Sequence, residues 1–251
     1  MKTLIPPAWR VQLRAYQRTL LDHWYGHRQQ FATLPLSPDA QAECVPRVSL
    51  TQPLGSASAP QLEWKRHNLR LAIAHLQHVG ILPGQIFSFW HLVGQPTAKA
   101  GYVEGRTISG EHLATSVGGG LCQLSGMIYF VALRAGLTII ERHPHSKDIY
   151  TDATRFAPLG SDATVVYGYK DLRLQNPFLM PLCFQFDLGE RELQVHLCAP
   201  AAIAEATVEF RAQRLDTVTL VETLRKCPTD AIAQVISVDC YPQLPVPTAL
   251  Q

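Results

Sequence analysis

The chain is 251 residues long, 47% hydrophobic and 17% charged, with 16 glycines and 18 prolines. That length and balance describe one large or two small folded domains with ample core, and exclude a disordered chain or a repeat array. A net charge of +2 is too small to make nucleic acid the main partner, and the basic triplet Lys65-Arg66-His67 reads as a solvated helix face.

From Trp9 to about Phe31 the chain reads as a helix, with Val11, Leu13, Tyr16, Leu20, Leu21 and Trp24 recurring at helical intervals. Neither the 7–15-residue apolar core of an export signal nor an 18-residue apolar run is present. No membrane span is expected, and the expected compartment is the cytoplasm. Residues 33–60 are rich in Pro and Ser and read as loop, with Gly55-Ser56-Ala57-Ser58-Ala59-Pro60 as the boundary. A second helix is expected over 61–79, stopped by Gly80. Gln85 to Trp90 reads as a short aromatic strand, and 91–117 as irregular loop with short strands.

The stretch Gly118-Gly119-Gly120-Leu121-Cys122-Gln123-Leu124-Ser125 carries the most information. Three glycines permit a backbone that no side chain covers, and the apolar positions Leu124, Met127, Ile128, Val131 and Ala135 then mark an amphipathic helix ended by Gly136. A thiol in the first turn of a helix sits at the positive end of the backbone dipole, which favours the thiolate. Leu137 to Arg142 reads as a strand leading into His143-Pro144-His145, and 163–169 as a central strand. Residues 182–188 and 193–197 alternate as a hairpin, with further strands near 206–213, 217–224 and 232–240. The fold expected is α+β: N-terminal helices followed by a mainly antiparallel β-sheet, with the cysteine-bearing helix packed on it. Its divisions are an N-terminal helix and linker (1–60), an α+β core (61–200) and a C-terminal β extension (201–251).

A nucleophilic cysteine needs a stabilised thiolate, a base and a group to orient the base. Cys122 would be the nucleophile, His145 before His143 the base, and Asp162 or Asn176 the orienting group. Backbone N–H groups around Gly118, Gly119, Gly120 and Gln123, with the Gln123 amide and Ser125 nearby, would bind the oxyanion or substrate. This order of elements is also that of papain-like and transglutaminase-like acyl-transfer enzymes, by analogy alone. The spacing leaves two other readings open: a buried inert thiol beside a ligand-binding loop, and a metal-supported fold with Cys122, the histidines and Asp162 as ligands. The six cysteines (44, 122, 183, 198, 227, 240) show no framework spacing, so reduced thiols are expected, with Cys183 and Cys198 on the polar side of the hairpin as the nearest to an exception. No cofactor is expected.

Pro83-Gly84-Gln85-Ile86-Phe87-Ser88-Phe89, Val93-Gly94, Gly101-Tyr102, the Gly118–Ser125 block, Ala135-Gly136-Leu137, Glu141-Arg142-His143-Pro144-His145-Ser146, Gly160-Ser161-Asp162-Ala163 and Leu174-Gln175-Asn176-Pro177 together resemble the VanW family. The resemblance spans about residues 65–190 and implies a link to the bacterial cell envelope or to glycopeptide resistance. It implies no particular chemistry. The partner it suggests is a small molecule or peptide of cell-wall origin.

Overall fold

The computed structural model describes residues 6–55, 58–109, 112–146 and 157–242. The chain opens with α1 (Pro7–Trp24), α2 (His27–Gln30), α3 (Pro38–Glu43), β1 (Val45–Pro53) and α4 (Ala59–Leu76). The first helix stops short of Phe31 because Gly26 takes a left-handed φ of 74°. Its inward side carries Val11, Ala15, Arg18 and Asp22, and a glycine at 168 lets another loop approach Val11 and Ala15 closely. The apolar side therefore points away from the protein, opposite to what a core-facing periodicity implies.

Two further expectations are corrected in this region. Residues 33–60 contain α3 and the nine-residue β1 rather than loop alone. Pro46 and Pro53 masked that strand, but β1 lies at a sheet edge, where a missing N–H is tolerated, and its register shifts between Pro46 and Val48. Helix α4 begins where Ser58 and Gln61 form a reciprocal cap, and ends at Leu76, before Gly80. Gly80 serves packing instead, since a Cβ there would lie 2.5 Å from Leu36 Cδ2. Ser56 and Ala57, within the expected boundary run, lie outside the described residues.

Next come β2 (Ile86–Ser88), α5 (Phe89–Val93), β3 (Glu104–Ser109), β4 (His112–Val117) and α6 (Leu121–Ala135). The aromatic strand is thus three residues long, because Ser88 caps a helical turn by accepting from the His91 N–H. Helix α6 ends at Gly136, whose φ is 82°. After it follow β5 (Thr138–Glu141), β6 (Arg173–Gln175), β7 (Cys183–Leu188), β8 (Glu192–Ala199), β9 (Thr207–Arg214), β10 (Val218–Lys226) and β11 (Gln234–Pro242). Residues 163–169 form no strand: they run extended past α6 and then turn, with a single bridge from Val166 to Lys170 around Gly168, whose φ is 80°.

The fold is α+β. Antiparallel sheets run in the orders β1-β8-β7, β2-β6-β5 and β9-β10-β11, with β3-β4 as a separate hairpin. Leu193, Val195 and Leu197 on β8, with Phe184 and Phe186 on β7, join Leu69, Ala72 and Leu76 of α4 and Leu124, Met127, Ile128 and Val131 of α6 in one core. The other side of the hairpin is also closed. Cys183 and Cys198 are opposite partners, and both are fully buried with Cys44 and Leu36 rather than on a polar side. All six cysteines are unbonded, and burial pushes the Cys44 thiol up to about 11. Among the described residues no helix is long and apolar enough to cross a membrane.

Candidate active site

The entry to α6 is built from glycine. Gly118 and Gly120 have φ of 88° and 101°, and a Cβ on Gly120 would stand 2.8 Å from Lys65 Cγ. Asn68 of α4 holds this loop in place although the sequence reading passed over it. Its buried amide donates to the Val103 and Gly119 carbonyls at 3.0 and 3.1 Å, and its oxygen accepts from the Val103 N–H at 2.9 Å. The basic triplet is likewise tethered: Lys65, Arg66 and His67 reach the carbonyls of Leu54, Gly189 and Gly101.

Cys122 is the second residue of α6 and is half-buried. The neighbouring N–H groups of Leu121, Gln123 and Leu124 are satisfied by Gly118 and Gly120 carbonyls, whereas that of Cys122 has no acceptor among the described residues. Its thiol donates to the Val165 carbonyl oxygen at 3.7 Å and lies beside the His145 ring, whose electrostatics it influences.

His145 follows β5. Its Nδ1 is 2.6 Å from Asp162 Oδ2, and its backbone N–H donates to the same oxygen at 2.6 Å. With Nδ1 so engaged, Nε2 is the nitrogen left for the sulfur. Burial works against a charged ring, but the hydrogen bond to Asp162, the neighbouring Cys122 thiol and the Asp162 charge outweigh it and raise the His145 pKa to about 9. Burial likewise opposes ionisation of Asp162. The His145 hydrogen bond and the Arg142 guanidinium nevertheless hold its carboxyl well below the usual carboxylate range.

Asp162 has a second set of partners that sequence spacing gave no means of finding. Tyr241 of β11 donates its hydroxyl to Asp162 Oδ1 at 2.7 Å. Arg142 donates to the Asp162 carbonyl at 2.6 Å, to its Oδ1 at 3.1 Å and to the Gly160 carbonyl at 2.9 Å, and pairs with Asp239. The guanidinium also lies 4.9 Å over the Tyr129 ring. The only sequence signal was the Arg142-His143 pair beside a polar strand end, and it did not reveal a partner about a hundred residues on.

The other expected site residues go elsewhere. His143 turns to Glu141, 2.9 Å away, in the network that also contains Arg18, Asp171 and Arg173. The Asn176 amide is spent on the Ile81 and Met180 carbonyls and the Phe178 N–H, which fixes a turn. Gln123 donates its amide to the Pro53 carbonyl at 2.8 Å, and its oxygen is buried with no partner among the described residues. Ser125 is fully buried and donates to the Ala163 carbonyl at 2.6 Å, clamping the extended 161–165 segment to α6. No group of three or more His, Cys, Asp or Glu among the described residues is arranged to hold a metal ion.

A family model described as VanW like protein matches residues 64–198. An uncharacterised protein, YoaR, of Bacillus subtilis is 28% identical over 183 residues, covering 69% of this chain and 58% of the relative. The vancomycin B-type resistance protein VanW of Enterococcus faecalis is 38% identical over 114 residues, covering 45% of this chain and 42% of the relative. The chain thus spans about half the length of these curated relatives. No solved structure matches it.

Proposed function

This chain belongs to the VanW family, and on that footing we propose that it is a cysteine-dependent acyl transferase or amide hydrolase acting on peptide material of the bacterial cell envelope. The observation that carries the reading is His145, fixed through its ring and its backbone by Asp162 at 2.6 Å, standing beside the Cys122 thiol in the first turn of α6. The envelope and glycopeptide connection rests on the resistance protein's name alone.

In the proposed reaction Cys122 and His145 share one proton, and with that proton on the imidazole the sulfur attacks a substrate carbonyl. The Cys122 N–H, free at the helix N-terminus, donates to the oxyanion that forms. His145 returns the proton to the departing amine as the C–N bond breaks, leaving an acyl thioester on Cys122. Water or an acceptor amine then attacks that thioester, loses its proton to His145 and regenerates the thiol. Asp162 holds the ring in orientation throughout and stays ionised.

The test is to incubate the protein with cell-wall peptide fragments, quench in acid and map the mass of the peptide bearing Cys122. An acyl adduct on Cys122, absent in Cys122→Ala and formed more slowly in His145→Gln, is the expected result. Product release that persists in Cys122→Ala would overturn the reading.

A further inference from the structure

Three of the six cysteines meet outside the candidate active site. Cys183 of β7 and Cys198 of β8 stand opposite each other in the antiparallel ladder, and Cys44, at the C-terminal end of α3, packs in the same buried cluster. All three are free thiols. Directly opposed residues in such a ladder share a face and have Cα atoms about 4.5–5.5 Å apart, inside the span of about 4.4–6.8 Å that a disulfide bridges. A bond between Cys183 and Cys198 thus needs side chains to rotate while the strands stay paired.

The surroundings keep these thiols protonated. Burial first, and then the neighbouring Cys183, push the Cys44 thiol up to about 11. The Cys198 thiol and burial raise Cys183 as well. A protonated thiol is a slow nucleophile, so the cluster exchanges slowly. A thiol of high pKa is also a poor leaving group, so a disulfide formed here resists reduction.

The way in is through α3. Cys183 and Cys198 have no exposed surface, whereas Cys44 is 4% exposed. Among the described residues their apolar cover is Leu36 and Ala40, on or beside this six-residue helix. The helix is held by the Ser37 cap and by the Gln41 amide, which donates to the Leu36 carbonyl at 2.6 Å. So short an element opens more readily than the sheet beneath it. Cys44, which ends it, is the first thiol that such an opening uncovers.

We propose that Cys44, Cys183 and Cys198 form a thiol–disulfide exchange site that takes a small-molecule disulfide as its oxidant and ends as a Cys183–Cys198 bond. Cys44 attacks one sulfur of the oxidant, forming a mixed disulfide and releasing the other half as a thiol. Cys183 then attacks the Cys44 sulfur and expels the second half. Finally Cys198 attacks the Cys183 sulfur and returns Cys44 to its free thiol. Two protein thiols lose two electrons and two protons, and the oxidant becomes two thiols. Phe184, Val195 and Leu197 of the same hairpin pack in the core with α6, so the bond braces the sheet behind the Cys122 helix. This chemistry is independent of the reading of Cys122 as a nucleophile.

The test holds the full native chain in glutathione buffers of rising oxidised-to-reduced ratio. Samples are quenched in acid, unfolded, blocked with N-ethylmaleimide and mapped without reduction. Expected are a glutathione adduct on Cys44 at early times and then a Cys183–Cys198 linked peptide, with the melting temperature raised by about 5 °C. Cys44→Ala should form the same bond about fivefold or more slowly. No Cys183–Cys198 bond at the most oxidising ratio, or pairing that draws in Cys122, Cys227 or Cys240 instead, would overturn the proposal. A bond that forms as fast in Cys44→Ala, with no early adduct on Cys44 in the native chain, would overturn it too.

Discussion

At Asp162 one carboxylate oxygen accepts from Tyr241 and Arg142 while the other accepts from the ring and backbone of His145. The side chain therefore senses both the candidate base and the C-terminal sheet, and its protonation should appear in stability. The His145 pKa is raised above its ordinary value to about 9, so its contribution is fully present below about pH 6.5 and is lost as pH rises through about 9. The Asp162 pKa is depressed, so its contribution is present above about pH 4 and is lost as pH falls below that. The stability gap between the native chain and Asp162→Asn should accordingly be widest between about pH 4 and 6.5 and shrink on either side. Its size there is expected to be about 1.5–3 kcal/mol, the worth of hydrogen bonds to charged groups. Urea denaturation across that range checks it, and a pH-independent gap would contradict the assignment. His143→Gln should instead weaken only the Glu141 network that docks α1, leaving Cys122 reactivity within about twofold of native.

The elements that place Cys122 depend on backbone permission as much as on packing. Gly120→Ala forces a side chain into a φ of 101° and within 2.8 Å of Lys65 Cγ, so it should cost about 1–3 kcal/mol and slow Cys122 alkylation as the helix entry shifts. An unchanged urea midpoint in this variant would mean that the loop is not held as described. This element was legible in the sequence because a glycine run, a 3.6-residue apolar period and a terminal glycine all agreed on a helix from Leu121 to Ala135. Strand β1 was not, because Pro46 and Pro53 outweighed an alternation that only the edge position excuses. Residues 163–169 failed for the opposite reason. Their β-branched and aromatic content suits a strand, but Gly168 turns the chain and Ser125 binds the Ala163 carbonyl, so a sheet partner is replaced by a helix. Helix α1 was legible as a helix but not in its orientation, because periodicity tells which residues share a face and not what that face meets.

Across the whole molecule, the candidate site draws on the C-terminal sheet that lies beyond the family match ending at residue 198. Tyr241 and Asp239 come from β11, and Phe210 of β9 packs edge-on against Phe130 of α6 with ring centroids 5.6 Å apart. Arg142 joins the two parts and is only 3% exposed. Arg142→Met would strand the buried Asp239 carboxylate and loosen Asp162, and should cost about 3–5 kcal/mol in chemical denaturation. Tyr241→Phe removes one donor to Asp162 and keeps the ring, so the fold should survive while the His145–Asp162 pair weakens. The measurement that bears most directly on the account is the rate of Cys122 alkylation by iodoacetamide at pH 6, followed by peptide mapping. If His145 and Asp162 activate the Cys122 sulfur, the native protein should react at this pH far faster than a free thiol. Asp162→Asn and His145→Gln should each lower the rate by about tenfold or more. A native rate no higher than that of a free thiol, or one that neither substitution changes, would contradict the account.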